Sequence, residues 1–435
     1  MDKIKIFILI AAAFLLFLNC SSNKQERQKL AGSLVNTAHL DSLYEEIIIG
    51  DKSVGIIHIY SEYPDYNWVA DEDEGIACVD DAARAAVFYL RYYSIYADET
   101  SLVKARKLLK FILYMQSDNG FFYNFIFDDH SINKEHRNSK NKPDWWSWRA
   151  MWALSEGYNY FSTVDKEFAL IIYNQLERSV KELKKIILSE RVIKLVNGKQ
   201  MLTWLPNKSA GDQASIIILS LLNYYKISND GTIPGLINIL SNGILIMQKG
   251  DSTKFPYNAF LSWENLWHGY GNLQSYSLLK ASPVLKRKNL LSVALLEIKY
   301  FYKYLKNKNY LSSFAVAERG NESYAEDFKQ FPQIAYNFRV MIYTYLEAYN
   351  VTNDSSYAIM AGEIASWFFG NNIANAQMYF PSTGICYDGI ESKNLINKNS
   401  GAESTIEALL SLIEIEQNKF AMSKLQEVIA QKNKF

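Results

Sequence analysis

Six times along this chain a segment opens on polar or aromatic residues, turns apolar with helical periodicity, and gives way after a short turn to a second helical run. The first members are "CVDDAARAAVFYLRYY" from 78, "WWSWRAMWALSEGYNYF" from 145, "GDQASIIILSLLNYY" from 211, "WENLWHGYGNLQSYSLL" from 263, "PQIAYNFRVMIYTYLEAY" from 332 and "SGAESTIEALLSLIEI" from 400. Their partners begin near 101, 166, 234, 283, 355 and 419. The markers Asp80, Trp148, Asp212, His268, Tyr336 and Glu403 are spaced by 68, 64, 56, 68 and 67 residues. Such a period, with short turns inside each pair and long stretches between pairs, predicts an array of αα-hairpins.

The prolines agree with this division. Pro64, Pro143, Pro206, Pro256, Pro332 and Pro381 fall one before each hairpin, and Pro234 and Pro283 are expected to open second helices, where a missing N–H costs nothing. No long stretch alternates with period two, so the expectation is an all-α fold. Six hairpins suggest an (α/α)6 toroid, in which one helix of each pair lines the inside and the other covers it. The rival is an open solenoid of tetratricopeptide or HEAT type. Those repeats are shorter and have short connections at both ends, whereas the stretches between hairpins here are long and rich in Trp, Asp and Asn, as functional connections are.

The segments "CVDDAARAA", "WWSWRAMWALSEGY", "GDQAS" and "NKNSGAESTIEALL" resemble the six-hairpin glycosidase superfamily, in particular its bacterial members that accompany glycan processing, over roughly residues 45 to 435. The resemblance implies a toroid domain over 45–435 and a carbohydrate-active function. It transfers no catalytic pair.

Composition narrows the partners. With 46 basic and 46 acidic residues the chain has no net charge, which argues against a nucleic-acid partner. Its 14% aromatic content leaves rings for a binding surface after a core is filled. Residues 1–20 have Lys3 and Lys5 before an apolar run from Ile6 to Leu18 that ends at Cys20, the pattern of a secretory leader. That cysteine, followed by Ser21 and Ser22, resembles a lipobox, although Asn19 departs from it. The expectation is a lipoprotein acylated on Cys20, with 21–44 as tether and N-terminal extension, anchored to a membrane in the cell envelope. Cys78 and Cys386 could pair across a closed ring, but two separate thiols are the expected state.

In a toroid the first helices point their N-termini toward one mouth. The polar starts then converge there although they lie about sixty residues apart. Asp80 and Asp81 are read either as helix caps or as functional carboxylates, with Arg84 in reach of both. Hydrolysis of a glycosidic bond needs a protonated carboxyl and a second carboxylate that activates water. Asp81, Asp212, Glu264 and Glu403 are the catalytic candidates because each falls at an expected helix start; Glu318, Glu326 and Asp327 rank behind them.

Sugar rings need flat aromatic faces, and their hydroxyls need polar partners. Trp145 or Trp146 is the expected platform, Trp152 a core residue, and Trp204 and Trp263 repeat the theme. Asp80, Arg84, Arg149, His268 and Tyr336 complete the substrate-binding candidates. His268 could shuttle a proton, hold a hydroxyl or sit satisfied in the core. The chain has no HExxH, paired-Cys spacing, EF-hand loop, phosphate loop or nucleophile elbow, so neither metal nor cofactor is expected. The favoured reading is an inverting glycoside hydrolase acting on an oligo- or polysaccharide. A polysaccharide lyase, a sugar epimerase and a non-catalytic glycan-binding lipoprotein are the alternatives.

Overall fold

Short turns make the hairpins. The first helix of hairpin one ends at Ala97, whose left-handed backbone (φ 56°) lets its N–H return to the carbonyl of Tyr93; Asp98 then caps the next helix by accepting the N–H of Ser101 at 2.8 Å. Asn229, Lys286 and Asn353 stop three further helices in the same left-handed conformation. Asp165 and Asp354 cap second helices as Asp98 does.

The computed structural model describes residues 33–189, 191–196, 199–320 and 322–432. Inner helices 1 to 6 span Val79–Tyr96, Trp145–Val164, Gly211–Ser228, Gln274–Leu285, Ala335–Thr352 and Ala402–Glu416. Each packs against the next, and the sixth packs against the first, so the ring is closed. This decides between the toroid and the open solenoid. The inner helices are buried on nearly every side, as a helix apolar around its circumference must be. Outer helices cover them: Glu99–Tyr114, Lys166–Ile187, Ile233–Ile246, Lys288–Glu297, Ser355–Ala365 and Lys419–Lys432. The fourth continues through a π-turn at Ile298–Tyr302 into Lys303–Asn307. Outer helices 5 and 6 touch so closely that a Cβ on Gly362 would lie 2.1 Å from the carbonyl oxygen of Ala421.

The long connections are not irregular, and the fold is not purely helical. They form short antiparallel pairs, among them Tyr44–Ile49 with Lys52–Ile57, Tyr60–Glu62 with Asn67–Val69, and a three-stranded sheet of Leu266–His268, Ser313–Arg319 and Glu322–Lys329. Most of these strands are two to four residues long, too short to display a period of two, while Ser313–Arg319 does alternate in burial. Glu318, Glu326 and Asp327 lie exposed on this sheet.

The start of the described chain clasps its end. The Glu416 carboxylate accepts Ser33 Oγ at 2.9 Å, the Tyr379 hydroxyl donates to the carbonyl of Leu34 at 2.8 Å, and Leu40 and Leu43 are fully buried. From Ser33 onward the N-terminal extension is thus packed on the ring. The leader, Cys20 and the first part of the tether lie outside the described residues. Among the described residues no helix is long and apolar enough to cross a membrane.

Two expectations fail in hairpin four. Inner helix 4 begins at Gln274, not near 263, because "HGYGN" turns the chain first, with Gly271 at φ +68°. Pro283 does not open the outer helix. It sits in the last turn of the inner one, where it removes one i→i−4 hydrogen bond. Cys78 and Cys386 are buried free thiols.

Candidate functional site

The polar helix starts do converge, but they converge on one another. Neither Asp80 nor Asp81 caps inner helix 1; the Cys78 sulfur does so, accepting the N–H of Asp81 at 3.3 Å. Asp81 instead accepts Arg84 Nη2 at 2.7 Å and the Cys78 thiol at 3.1 Å. Burial, only partly offset by Arg84, pushes its carboxyl up to about 6. Arg84 also donates through Nη1 to Glu403 at 2.8 Å and Glu407 at 3.0 Å, and its Nη2 lies 4.0 Å from Asp80. Arg149 of inner helix 2 pairs with Asp80 and donates to the Tyr336 hydroxyl at 3.1 Å, while Arg339 pairs with Glu407. The Tyr336 ring is the hub, with Arg84, Arg149 and Arg339 at 5.6, 5.4 and 4.8 Å from its centroid.

Asp212 and His268 form a second buried unit. His268 Nε2 lies 3.1 Å from Asp212 Oδ2, and its Nδ1 lies 2.6 Å from the carbonyl oxygen of Tyr270. A carbonyl can only accept, so Nδ1 donates to it and Nε2 is turned toward Asp212. His268 belongs to the strand Leu266–His268 and not to a helix start.

Accessibility sorts the candidates. Asp81 and Asp212 are 3% and 1% exposed, out of reach of a substrate. Glu264 occupies a tight turn with φ 50° between Trp263 and Leu266, so it does not itself begin a helix, although the carbonyl of Ser262 before it accepts the N–H of Asp212 at the start of inner helix 3. The Glu403 side chain is 44% exposed and that of Asp80 19%. The Asp80 Oδ1 atom is buried without a hydrogen-bond partner among the described residues.

The aromatic candidates divide in the same way. Trp146 is buried, its Nε1 donating to the carbonyl of Phe122 at 2.7 Å, and Trp204 is buried beside Gly243, so neither is a platform. Both were drawn inward because their large apolar rings fill gaps between helices. Trp145 is half-buried over Arg149, and Trp263 is exposed with Nε1 on the carbonyl of Asn207. Tyr270, absent from the sequence candidates, is 44% exposed and stacks on His268 at 3.8 Å. Burial first, then the charges of Asp212 and Glu403, push its hydroxyl upward, which marks its closeness to both carboxylates.

The main recess on the ring axis is not where the helix starts predict. It holds ≈ 720 Å³ and runs from a floor of Arg149, Tyr336 and Arg339 to the C-terminal ends of the inner helices, where the exposed Ser94, Asn159, Val284 and Asn350 mark its rim. The ion-paired plate closes the ring on the N-terminal side. Inside the recess a second polar tier repeats the first at seven-residue spacing: Arg91 after Arg84, Glu156 after Arg149, Tyr343 after Tyr336 and Glu414 after Glu407. Seven residues are two helical turns, roughly 10 Å along the axis. That heptad was the sequence signal for this tier, and single motifs at helix starts hid it. Trp152 belongs to the core as expected, 6% exposed, and also borders the recess. Among the described residues no three His, Cys, Asp or Glu side chains converge as a metal site requires.

No protein-family model and no curated protein matches the chain. Solved structures do. A sugar epimerase from a ruminal bacterium aligns with a TM-score of 0.60 at 13% identity, over 91% of this chain and 99% of that one. Cellobiose 2-epimerase from Bacillus thermoamylovorans aligns at 0.61 and 12%, over 87% and 96%. A family 76 glycoside hydrolase from a bovine Bacteroides thetaiotaomicron strain aligns at 0.53 and 13%, over 91% and 79%. What is shared at these identities is the fold, an (α/α)6 toroid.

Proposed function

We propose that this chain is a carbohydrate-active enzyme, an inverting glycoside hydrolase whose acid–base pair is Asp80 and Glu403. One observation carries the reading. Two carboxylates that lie at opposite ends of the sequence meet on one guanidinium, that of Arg84, and both keep an opening to solvent. Arg84 reaches the two from its separate nitrogens, Nη2 at 4.0 Å from Asp80 and Nη1 at 2.8 Å from Glu403, so the carboxylates stand apart, and an inverting hydrolase needs such a separation for a water to fit between. Tyr270 offers one free ring face beside Glu403, and Trp145 flanks Arg149 next to Asp80. The unpartnered Asp80 Oδ1 is an acceptor whose burial costs about 1–3 kcal/mol until a donor such as a sugar hydroxyl meets it. The toroid shared with a sugar epimerase and a glycoside hydrolase supports a saccharide substrate.

In this reading Asp81, Asp212 and Glu407 are positioning residues. They hold Arg84, His268 and Arg339 from within the ring.

The test is product analysis on a panel of neutral oligosaccharides. New reducing ends that vanish in Glu403→Gln and Asp80→Asn, with the helical circular dichroism retained, are expected. Unsaturated ends absorbing in the ultraviolet, an epimerised product without cleavage, binding without turnover, or full turnover in either variant would each overturn the proposal. The leader extends it: we place the protein on the cell envelope through acylated Cys20. Cys20→Ser should move it from the membrane fraction to the soluble fraction.

A further inference from the structure

We infer that the recess at the C-terminal ends of the inner helices is a second binding site, for a neutral mono- or disaccharide, separate from the face that carries Asp80 and Glu403. The floor of Arg149, Tyr336 and Arg339 stands between the two. The inference does not depend on the hydrolase reading.

Size comes first. A volume of ≈ 720 Å³ falls inside the range of roughly 300–1,000 Å³ typical of small-molecule pockets. The lining then limits the ligand's charge. Five cations border the recess: Arg91, Lys280, Arg149 and Arg339 each pair with a carboxylate, and Lys226 is exposed at the rim. Arg91 bridges Glu156 at 2.9 Å and Glu414 at 3.0 Å, and Lys280 meets Glu347 at 3.2 Å. The charges inside the recess are thus taken up by one another, which leaves the polar walls suited to a neutral ligand.

What the walls offer is donors alternating with acceptors, the complement of hydroxyls that do both. Among the aromatic side chains of the walls Tyr276 is partly exposed, while Trp152 and Tyr343, 6% and 3% exposed, form a packed backing. Trp152 is fixed by its Nε1 bond to Glu156 at 2.7 Å, and the Tyr343 hydroxyl accepts Arg91 Nη1 at 2.9 Å. Tyr276 lies 5.4 Å from Tyr343, centroid to centroid. Rings held in place before binding lose little entropy when a sugar stacks on them. Charged pairs serving only to join helices would be packed over; these border a void that opens to solvent.

The experiment titrates the full chain carrying Glu403→Gln with cellobiose and with D-mannose, followed by calorimetry and by tryptophan fluorescence, which Trp152 reports. Asn223→Trp places an indole inside the recess without touching an ion pair, and Val284→Trp does so at the rim if the first variant folds poorly. Saturable binding that weakens roughly tenfold or more in the plugged protein, while Tyr270→Ala leaves it in place, is expected. If the hydrolase face also binds, two sites fall to one in either variant; if that face fails, the plug alone abolishes the single site. The inference is overturned by absence of saturable binding, by binding that the plug leaves unchanged, or by binding of D-glucuronate or D-glucosamine in preference to the neutral sugars.

Discussion

Arg84 and Arg91 stand two turns apart on inner helix 1, and each places its Nη1 at 3.0 Å from a glutamate of inner helix 6, Glu407 and Glu414 respectively. The two rungs close the ring where its last hairpin meets its first. They have the same length and opposite surroundings, since the Glu407 side chain is 0% exposed and that of Glu414 is 38%.

That contrast predicts unequal costs. Glu407→Gln removes the carboxylate that pairs Arg339, leaving that buried guanidinium uncompensated, and should destabilise the protein by about 3–5 kcal/mol. Glu414→Gln should cost at most about 1 kcal/mol, because water already screens that pair. Guanidinium-induced unfolding midpoints of the two variants check both figures. Equal losses would contradict the account.

Tyr270 is predicted to act on substrate affinity. Tyr270→Ala removes the exposed ring face and should raise KM about tenfold with a smaller effect on kcat, whereas Tyr270→Phe keeps the stack and should stay near wild type. Steady-state kinetics on the oligosaccharide that the wild-type protein cleaves would separate the two. A kcat collapse in the Phe variant would instead assign chemistry to the hydroxyl.

Glu297 is buried against the N–H of Phe260 at 2.8 Å and the Ser275 hydroxyl at 2.6 Å, and burial raises its carboxyl from 4.5 to about 7. Between those values the folded chain keeps a proton that the unfolded chain has released. Stability therefore falls as pH rises from about 4.5 to about 7 and stays lower above. Glu297→Gln should match wild type near pH 4 and exceed it at pH 8 by on the order of 3 kcal/mol. Urea midpoints against pH provide the check, and a parallel pH dependence in both proteins would refute it.

Gly362 lets outer helices 5 and 6 touch. Gly362→Ala drives a methyl group onto the Ala421 carbonyl, a backbone atom that cannot swing aside, and should cost about 1–3 kcal/mol despite the better helix propensity of alanine. A thermal midpoint equal to wild type would show that the two helices separate freely.

The six hairpins were legible in the sequence because each depends on local physics. Helical periodicity, the αL stop and the aspartate that starts the next helix all act within a few residues, and a sixty-residue repeat makes them visible together. The regular spacing also carried the convergence of Asp80, Arg84, Arg149, Asp212, Tyr336 and Glu403, since equal rods set in a ring bring equal positions to equal heights. Hairpin four misled for the same reason. A strand edge at Leu266–His268 begins polar and aromatic just as a helix start does, and only Gly269 and Gly271 hinted otherwise.

What the sequence could not hold was which carboxylates meet solvent and which meet arginine. Asp80 and Asp81 are neighbours in the chain, yet one opens toward the surface and the other is sealed beneath Arg84, because a helix turns about 100 degrees per residue and the ring has only one axis. The partners that decide this, Glu403 and Glu407 for Arg84 and Asp80 for Arg149, come from other helices. Only ring closure sets their distances. The direction in which the recess opens has the same origin: the plate of ion pairs forms at the N-terminal ends once all six helices are in place, and it leaves the void at the other end.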